Sequence, residues 1–318
     1  MVCTYNSLAN YVTLDVIKAM IKPSYLAFME QFVPLDNLVY TSFDGDYMHY
    51  VCHMQEYVMA QGLTPINPEA ALGYYVSTMS HAGNKVPVMM DCIRTELLCD
   101  HMWIFNPHSG HVSEGVLAEL MIWNSEKNKE VSMIDFFPEN ISHIDTTGNF
   151  NVRNLTTSDI DGFISMRSDT ERTEINSKLL APYKEQELQN AYIIVNFKNC
   201  KHLDWARSFC YQNNLSPVCA QTLLPYHLYS KPEYGNEKYL SARLNLLSRA
   251  DNILLFLNTR KINEEISKLD EFSLCEMYYV LQYKKDANIE IIGWDDACVP
   301  KYSGNGTWAL TTAEASEV

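Results

Sequence analysis

Residues 39–68 read VYTSFDGDYMHYVCHMQEYVMAQGLTPINP, and residues 192–229 read YIIVNFKNCKHLDWARSFCYQNNLSPVCAQTLLPYHLY. Each stretch opens on an apolar run rich in β-branched and aromatic residues. Each then passes through a polar loop into an amphipathic segment and closes on a short turn with Pro. Further on, each copy reaches a helical segment ending in Asp and a second apolar run: LLCDHMWIFN at 97–106 and LLSRADNILLFLN at 246–258. A helical segment carrying Glu follows in both, SEGVLAELMIW at 113–123 and DEFSLCEMYYVLQY at 270–283. The chain therefore states one order of elements twice, the signature of an internal duplication. Strands alternating with helices across short turns predict an α/β fold. The expectation is two tandem flavodoxin- or Rossmann-like doubly wound units with parallel sheets, preceded by an N-terminal helical arm.

The landmarks keep their spacing. Pro65 to Asp100 is 35 positions and Pro217 to Asp251 is 34, while Phe43 to Pro65 is 22 against 20 for Phe197 to Pro217. Asp100 to Glu119 is 19 and Asp251 to Glu276 is 25, with the excess falling in NTRKINEEISKLDE, which reads as a surface-loop insertion. The predicted elements of the first copy are a strand at 38–43, a helix at 44–61 and a short strand in GLTPINP. A helix at 88–99, a strand at 101–105, a helix at 114–127 and a last strand at 130–137 complete it. The division is an arm at 1–36, a first domain at 37–137, a linker at 138–190, a second, degenerate domain at 191–299 and a mobile tail at 300–318. The arm reads as amphipathic helix broken by Pro23, with a packing or dimerisation role. The linker is assigned because the segment is rich in Ser, Thr, Asn, Asp and Glu and poor in aliphatic periodicity, with one helix expected near 174–189.

A hydrophobic content of 47% over 318 residues supports two packed domains, and a net charge of −15 argues against a broad grip on nucleic acid or anionic membrane. A single phosphate remains compatible, because a helix N-terminus suffices to hold one. The nine cysteines form no CxxC pair and sit mostly in apolar runs, which reads as reduced thiols and a cytoplasmic protein. No run approaches the length of a transmembrane helix, so no membrane partner is expected.

The strongest local pattern is Ser113-Glu114-Gly115-Val116-Leu117-Ala118-Glu119. It follows a strand and opens a helix, so it places helix-start N–H groups and the Ser113 hydroxyl at the carboxyl edge of a parallel sheet, where open α/β sheets bind ligands. Gly115 permits close approach to the backbone. Glu119 lies on the Ser113 side of that helix, suited to nucleophilic attack or charge stabilisation at an anomeric carbon. The plain alternative makes Ser113 an N-cap and Glu119 a solvated helix residue. His101, His108 and His111 cluster nearby without a metal-site pattern, so no metal is assigned. Tyr40, Tyr47, Tyr50, Tyr74 and Tyr75 fall near the same edge, for stacking on a base or for core packing. No GxGxxG, P-loop, GxSxG or HExxH motif occurs.

The order strand, loop, helix, GLTPINP, helix ending in Asp100, WIF and S-x-G-x-x-x-E resembles the nucleoside 2-deoxyribosyltransferase superfamily. That superfamily includes the deoxynucleoside 5′-monophosphate N-glycosidases. The resemblance covers about 38–137 well and 191–294 weakly. It implies a Glu nucleophile at Glu119 and a contact to the 5′ end of the nucleotide at Ser113, with Gly115 beside it. It also implies a loop enclosing sugar and base at Ser42, Phe43, Asp44, Gly45 and Asp46. Asp100 becomes a catalytic, sugar-contacting or structural residue. Glu276 and Asp251 are the second-copy counterparts of Glu119 and Asp100. No cofactor is implied, the partner is a nucleoside or nucleotide, and a homo-oligomer stays open.

The chain departs from the superfamily in two places. Its first loop carries Asp44 and Asp46, which disfavour a phosphate beside them. In the second copy Asp270 stands in place of Ser113 and Phe272 in place of Gly115, which fits a degenerate site. Two functions follow as expectations: cleavage or transfer at a nucleoside N-glycosidic bond, or non-catalytic nucleotide binding by the same fold. A Glu119 turned outward, or locked to Arg or Lys, would favour the second.

Overall fold

The computed structural model describes residues 6–8, 11–67, 86–107, 112–127, 129–136, 150–181, 189–195, 203–258, 262–284, 289–294, 298–302 and 308–312. The strands are β1 (Asn6–Ser7), β2 (Leu38–Phe43), β3 (Thr64–Ile66), β4 (His101–Pro107), β5 (Val131–Phe136), β6 (Phe150–Leu155), β7 (Gln189–Val195), β8 (Leu215–Val218), β9 (Asn252–Asn258), β10 (Ile289–Trp294), β11 (Cys298–Tyr302) and β12 (Trp308–Thr312). Two compact units result. The first comprises 35–187 with 222–228, and the second comprises 1–34, 188–221 and 229–318.

Each unit holds a five-stranded sheet, ordered β3-β2-β4-β5-β6 in the first and β8-β7-β9-β10-β1 in the second. Numbered within its unit, each sheet runs second, first, third, fourth, then an edge strand. The first four strands are parallel in both units, and the edge strand, β6 or β1, is antiparallel. This is the doubly wound α/β fold, with a topological switch point between the first and third strands. In the first unit Val39 and Phe43 pack with Met54, Tyr57, Val58, Phe105 and Ile134 on one sheet face. The alternate residues of β2, Leu38, Tyr40 and Ser42, point to the other face by the two-residue period of a strand. Helix Val86–Leu98 packs against both β2 and helix Glu114–Ile122. The second unit repeats the division, with Ala191, Ile193 and Val195 packed beside Phe209, Leu254 and Phe256.

Strand pairing fixes the register of the duplication. Val39 pairs with Pro65 and Ala191 with Pro217, so Tyr40 matches Tyr192 and lies 25 positions before its Pro in both copies. The unequal Phe43 and Phe197 spacings thus come from a landmark two residues out of register.

Three of the expected boundaries are corrected. Residues 150–180 are not linker. They form β6, helices Thr157–Ser165 and Asp169–Glu174 and a wider π-helical turn Ile175–Leu180, all in the first unit. The Ser, Thr, Asp and Glu that made this segment look unstructured are its helix starts. Thr156 with Asp159, and Ser168 with Glu171, each form a reciprocal capping box. The arm at 1–36 is also more than a helix. β1 adds to β10, and helices Leu14–Met20 and Pro23–Gln31 pack on helix Glu271–Tyr283 through Tyr25 on Phe272 and Phe32 on Tyr279. Third, residues 300–302 and 308–312 of the expected tail belong to an antiparallel hairpin that pairs Cys298–Tyr302 with Trp308–Thr312. The insertion before Glu276 likewise contains a short helix, Ile262–Ser267.

The first two corrections are one. The pattern strand, helix, helix occurs at 6–31 and again at 150–180. Each instance supplies the antiparallel edge of the α/β unit that does not directly follow it in sequence. The early instance completes the second unit, and the late one completes the first.

Candidate functional site

Strand β2 and helix Glu114–Ile122 build the site at the switch point of the first unit. Ser113 caps the helix, its Oγ accepting from the Val116 N–H at 3.5 Å. One and a half turns on, Glu119 turns its carboxyl to the sheet rather than to solvent and is 7% exposed. The Tyr40 hydroxyl donates to Glu119 Oε1 at 2.6 Å, and the Ser42 hydroxyl donates to Oε2 at 2.5 Å. Among the described residues no Lys or Arg pairs with it. Burial pushes the Glu119 carboxyl up to about 7, with the Ser42 and Tyr40 hydrogen bonds opposing the rise. Burial also raises the Tyr40 phenol well above its ordinary range, so it remains a donor at neutral pH.

The second unit holds the same pair in another state. Glu276 is fully buried and accepts from the Tyr192 hydroxyl, as Glu119 does from Tyr40. Here Arg243 closes on the carboxylate, Nε to Oε1 at 2.6 Å and Nη2 to Oε2 at 2.8 Å. The guanidinium lies against the rings of Tyr239 and Phe272, 5.5 and 5.6 Å from their centroids, and 3.9 Å from Asp270. Burial works most strongly against the Arg243 charge, but Glu276, Tyr192 and Tyr239 together outweigh it and hold the guanidinium firmly protonated. Counting back from the matched Asp100 and Asp251, the first-unit residue at the Arg243 position is Cys92.

The other expected site residues separate into two groups. Ser42 reaches Glu119 from the strand, and Ser113 stands at the helix start as its N-cap. Gly115 serves helix packing, since a Cβ there would meet Met89 Cε at 3.3 Å. Phe43 is core. Asp44 closes the following turn, accepting from the Asp46 N–H at 3.0 Å, and no atom lies within 4 Å of a Cβ built on Gly45. Asp100 does not reach the site. It precedes β4 at the amino edge, and its Oδ2 accepts from the Leu38 N–H at 3.1 Å. Asp251 makes the same contact to the Asn190 N–H at 3.2 Å. Both are clamps between strand starts, which answers the question left open for Asp100 and removes it from the catalytic set. Tyr47 and Tyr50 pack edge-on against Phe136 rather than toward Glu119. His101 Nε2 meets the Asp36 carbonyl at 3.2 Å. His108, His111, Tyr74 and Tyr75 lie outside the described residues.

Tyr40, placed near this edge by the sequence for stacking or core packing, is instead a donor to Glu119, a role that aligning the copies on it would have suggested. One site residue was not anticipated from the sequence. Glu96 is wholly buried on helix Val86–Leu98, and neither of its carboxyl oxygens has a hydrogen-bond partner among the described residues. Among those residues no group of acidic, His and Cys side chains is placed to hold a metal ion, and no helix is long and apolar enough to cross a membrane.

Compared with family models, curated proteins and solved structures, the chain matches none.

Proposed function

We propose that the first unit acts on the N-glycosidic bond of a nucleoside or nucleotide, with Glu119 as the nucleophile. The observation that carries this reading is the contrast between the two glutamates. Glu276 is neutralised by its own chain through Arg243, whereas Glu119 is oriented by two hydroxyls and keeps its charge available. In the proposed reaction a Glu119 oxygen attacks C1′, the C1′–N bond breaks and the base leaves with the electron pair. Water or a second base then releases the sugar from Glu119. The transition state is oxocarbenium-like, so a carboxylate held by Tyr40 and Ser42 both stabilises positive charge and captures the sugar. Neither step requires a metal or an organic cofactor. The second unit is read as non-catalytic, because Arg243 occupies both oxygens of Glu276.

The test is chromatographic. Wild type and Glu119→Ala are incubated with ribo- and deoxynucleosides and their 5′-monophosphates, with and without an acceptor base. Base release by the wild type alone supports the reading and names the substrate. Absence of release from every substrate refutes it and leaves nucleotide binding without chemistry.

A further inference from the structure

The buried carboxyl that the reaction above does not use is Glu96. Helix Val86–Leu98 meets helix Glu114–Ile122 where Met89 faces Gly115. Seven residues on from Met89 the same helix face carries Glu96, and four on from Gly115 the other helix carries Glu119. Glu96 is 0% exposed and both its oxygens are without a hydrogen-bond partner among the described residues. The second unit shows that the fold does not require an acid there. Four residues before the matched aspartate, the position of Glu96 is taken by Leu247, which is equally buried. A buried, unpartnered acid costs stability that Leu does not, and such local exceptions concentrate at functional sites.

We propose that Glu96 is a positioning residue of the first unit's site: with Glu119 it forms a buried carboxyl pair that carries one proton, held on Glu96, and one negative charge, held on Glu119. Two carboxyls that share a low-dielectric region do not both ionise near neutrality. The hydrogen bonds decide which keeps the proton. Glu119 receives two O–H donors that favour its anion, and Glu96 receives none. Burial, reinforced by Glu119, holds the Glu96 carboxyl well above the usual range, and Lys127 opposes this without reversing it. The groups facing Glu96 are Glu119 from its helix, Lys127 from the turn after it and Tyr40 from β2, on which Cys92, one turn back from Glu96, also acts. Helix Val86–Leu98 also packs on the turn Ile175–Leu180, whose Lys178 is engaged at the surface with Glu174. The singly protonated pair is the competent state. Loss of the second proton would place another negative charge beside the base as it departs with its electron pair.

Three measurements on the full chain test this, and only the third rests on the functional reading. Infrared difference spectra should show the C=O stretch of a protonated buried carboxyl near pH 8, lost in Glu96→Gln and kept in Glu119→Gln. Thermal unfolding should fall more steeply with pH above the ordinary carboxyl range in wild type than in Glu96→Gln or Glu96→Leu. Near pH 8, Glu96→Leu should unfold several degrees higher than wild type, because it adopts the second unit's own solution. Base release should follow a bell-shaped pH profile whose alkaline limb disappears in Glu96→Gln. A carboxyl band that survives in Glu96→Gln, or identical pH slopes of unfolding in wild type and Glu96→Gln, overturns the assignment. So does an alkaline limb that persists in Glu96→Gln. If no substrate releases base, the functional reading fails alone, and the infrared and thermal measurements still decide the role of Glu96.

Discussion

Arg243→Met is the perturbation with the largest expected consequence. Arg243 is 3% exposed, and its guanidinium makes its two short contacts, 2.6 and 2.8 Å, to the carboxylate of Glu276, a residue with no exposure of its own. Its removal leaves Glu276 buried with Tyr192 as its remaining donor. Breaking one side of a buried pair costs about 3–5 kcal/mol, because the other charge is stranded. For a unit of this size each kcal/mol moves the transition by about 2–4 °C, so the second unit should unfold roughly 6–20 °C earlier. Glu276→Leu should cost a similar amount by stranding Arg243. The double variant Arg243→Met/Glu276→Leu removes both charges and should return to within about 1 kcal/mol of wild type or exceed it, giving a large coupling energy in the cycle. Calorimetry of the full chain is the suitable assay, because it resolves two transitions where the units unfold separately. A single variant within about 1 kcal/mol of wild type, or costs that simply add, would refute the claim that an internal cation neutralises Glu276.

Four further outcomes are expected around the first site. Base release should rise with pH through about 7 as Glu119 ionises, and Glu119→Gln should lower it on the order of 10³-fold or more. The stability sign runs the other way. The folded-state value of Glu119 lies above its ordinary one, so its contribution is intact in acid and is lost as pH rises toward about 7. Melting temperature should therefore decline in wild type between about pH 5 and 8, and Glu119→Gln should flatten that decline. Tyr40→Phe removes one of two donors from the buried anion and should move the midpoint of the pH–rate profile upward, with Ser42→Ala acting in the same direction; an unmoved midpoint in both would contradict the geometry. Asp100→Ala leaves the Leu38 N–H without its acceptor and should cost about 1–3 kcal/mol by denaturant titration, while kcat of the folded fraction stays unchanged.

The fold was legible where periodicity was strong. The apolar runs at 38–43 and 101–105 are central strands, and their alternation with helical segments leads directly to a parallel sheet. The edges were not legible, for a physical reason. An edge strand such as β6 is solvated on one side, and its residues 151–154 are exposed, so it lacks the apolar run that marks β2. β1 is two residues long and carries no pattern at all. The helices after β6 begin on Thr156 and Ser168 and were hidden by composition, because cap residues and loop residues are the same residues. The placement of β1 on the second unit is beyond any local pattern, because it pairs Asn6 with Ile291 across most of the chain, whereas β6 pairs with β5 just before it.

The site was half legible for a related reason. Glu119 and Ser113 form a motif along one helix and are visible as spacing. Tyr40, Ser42, Cys92 and Glu96 lie on other elements and come together only when β2 and helix Val86–Leu98 pack beside that helix. Once the copies are placed in register, the comparison becomes chemical. Both keep the glutamate, the tyrosine that donates to it and the aspartate that clamps the strand starts. The second unit lacks the Ser42 donor, which Ile194 replaces, and the balance of charge turns on two further positions one turn apart on one helix, where Cys92 and Glu96 stand against Arg243 and Leu247. A buried carboxylate must have its charge balanced. The second unit balances one acid with one cation of its own, and nothing remains for a ligand to supply. In the first unit two acids face one another without that arginine. A proton satisfies one of them, and the charge left on Glu119 is what an electron-poor sugar carbon would meet.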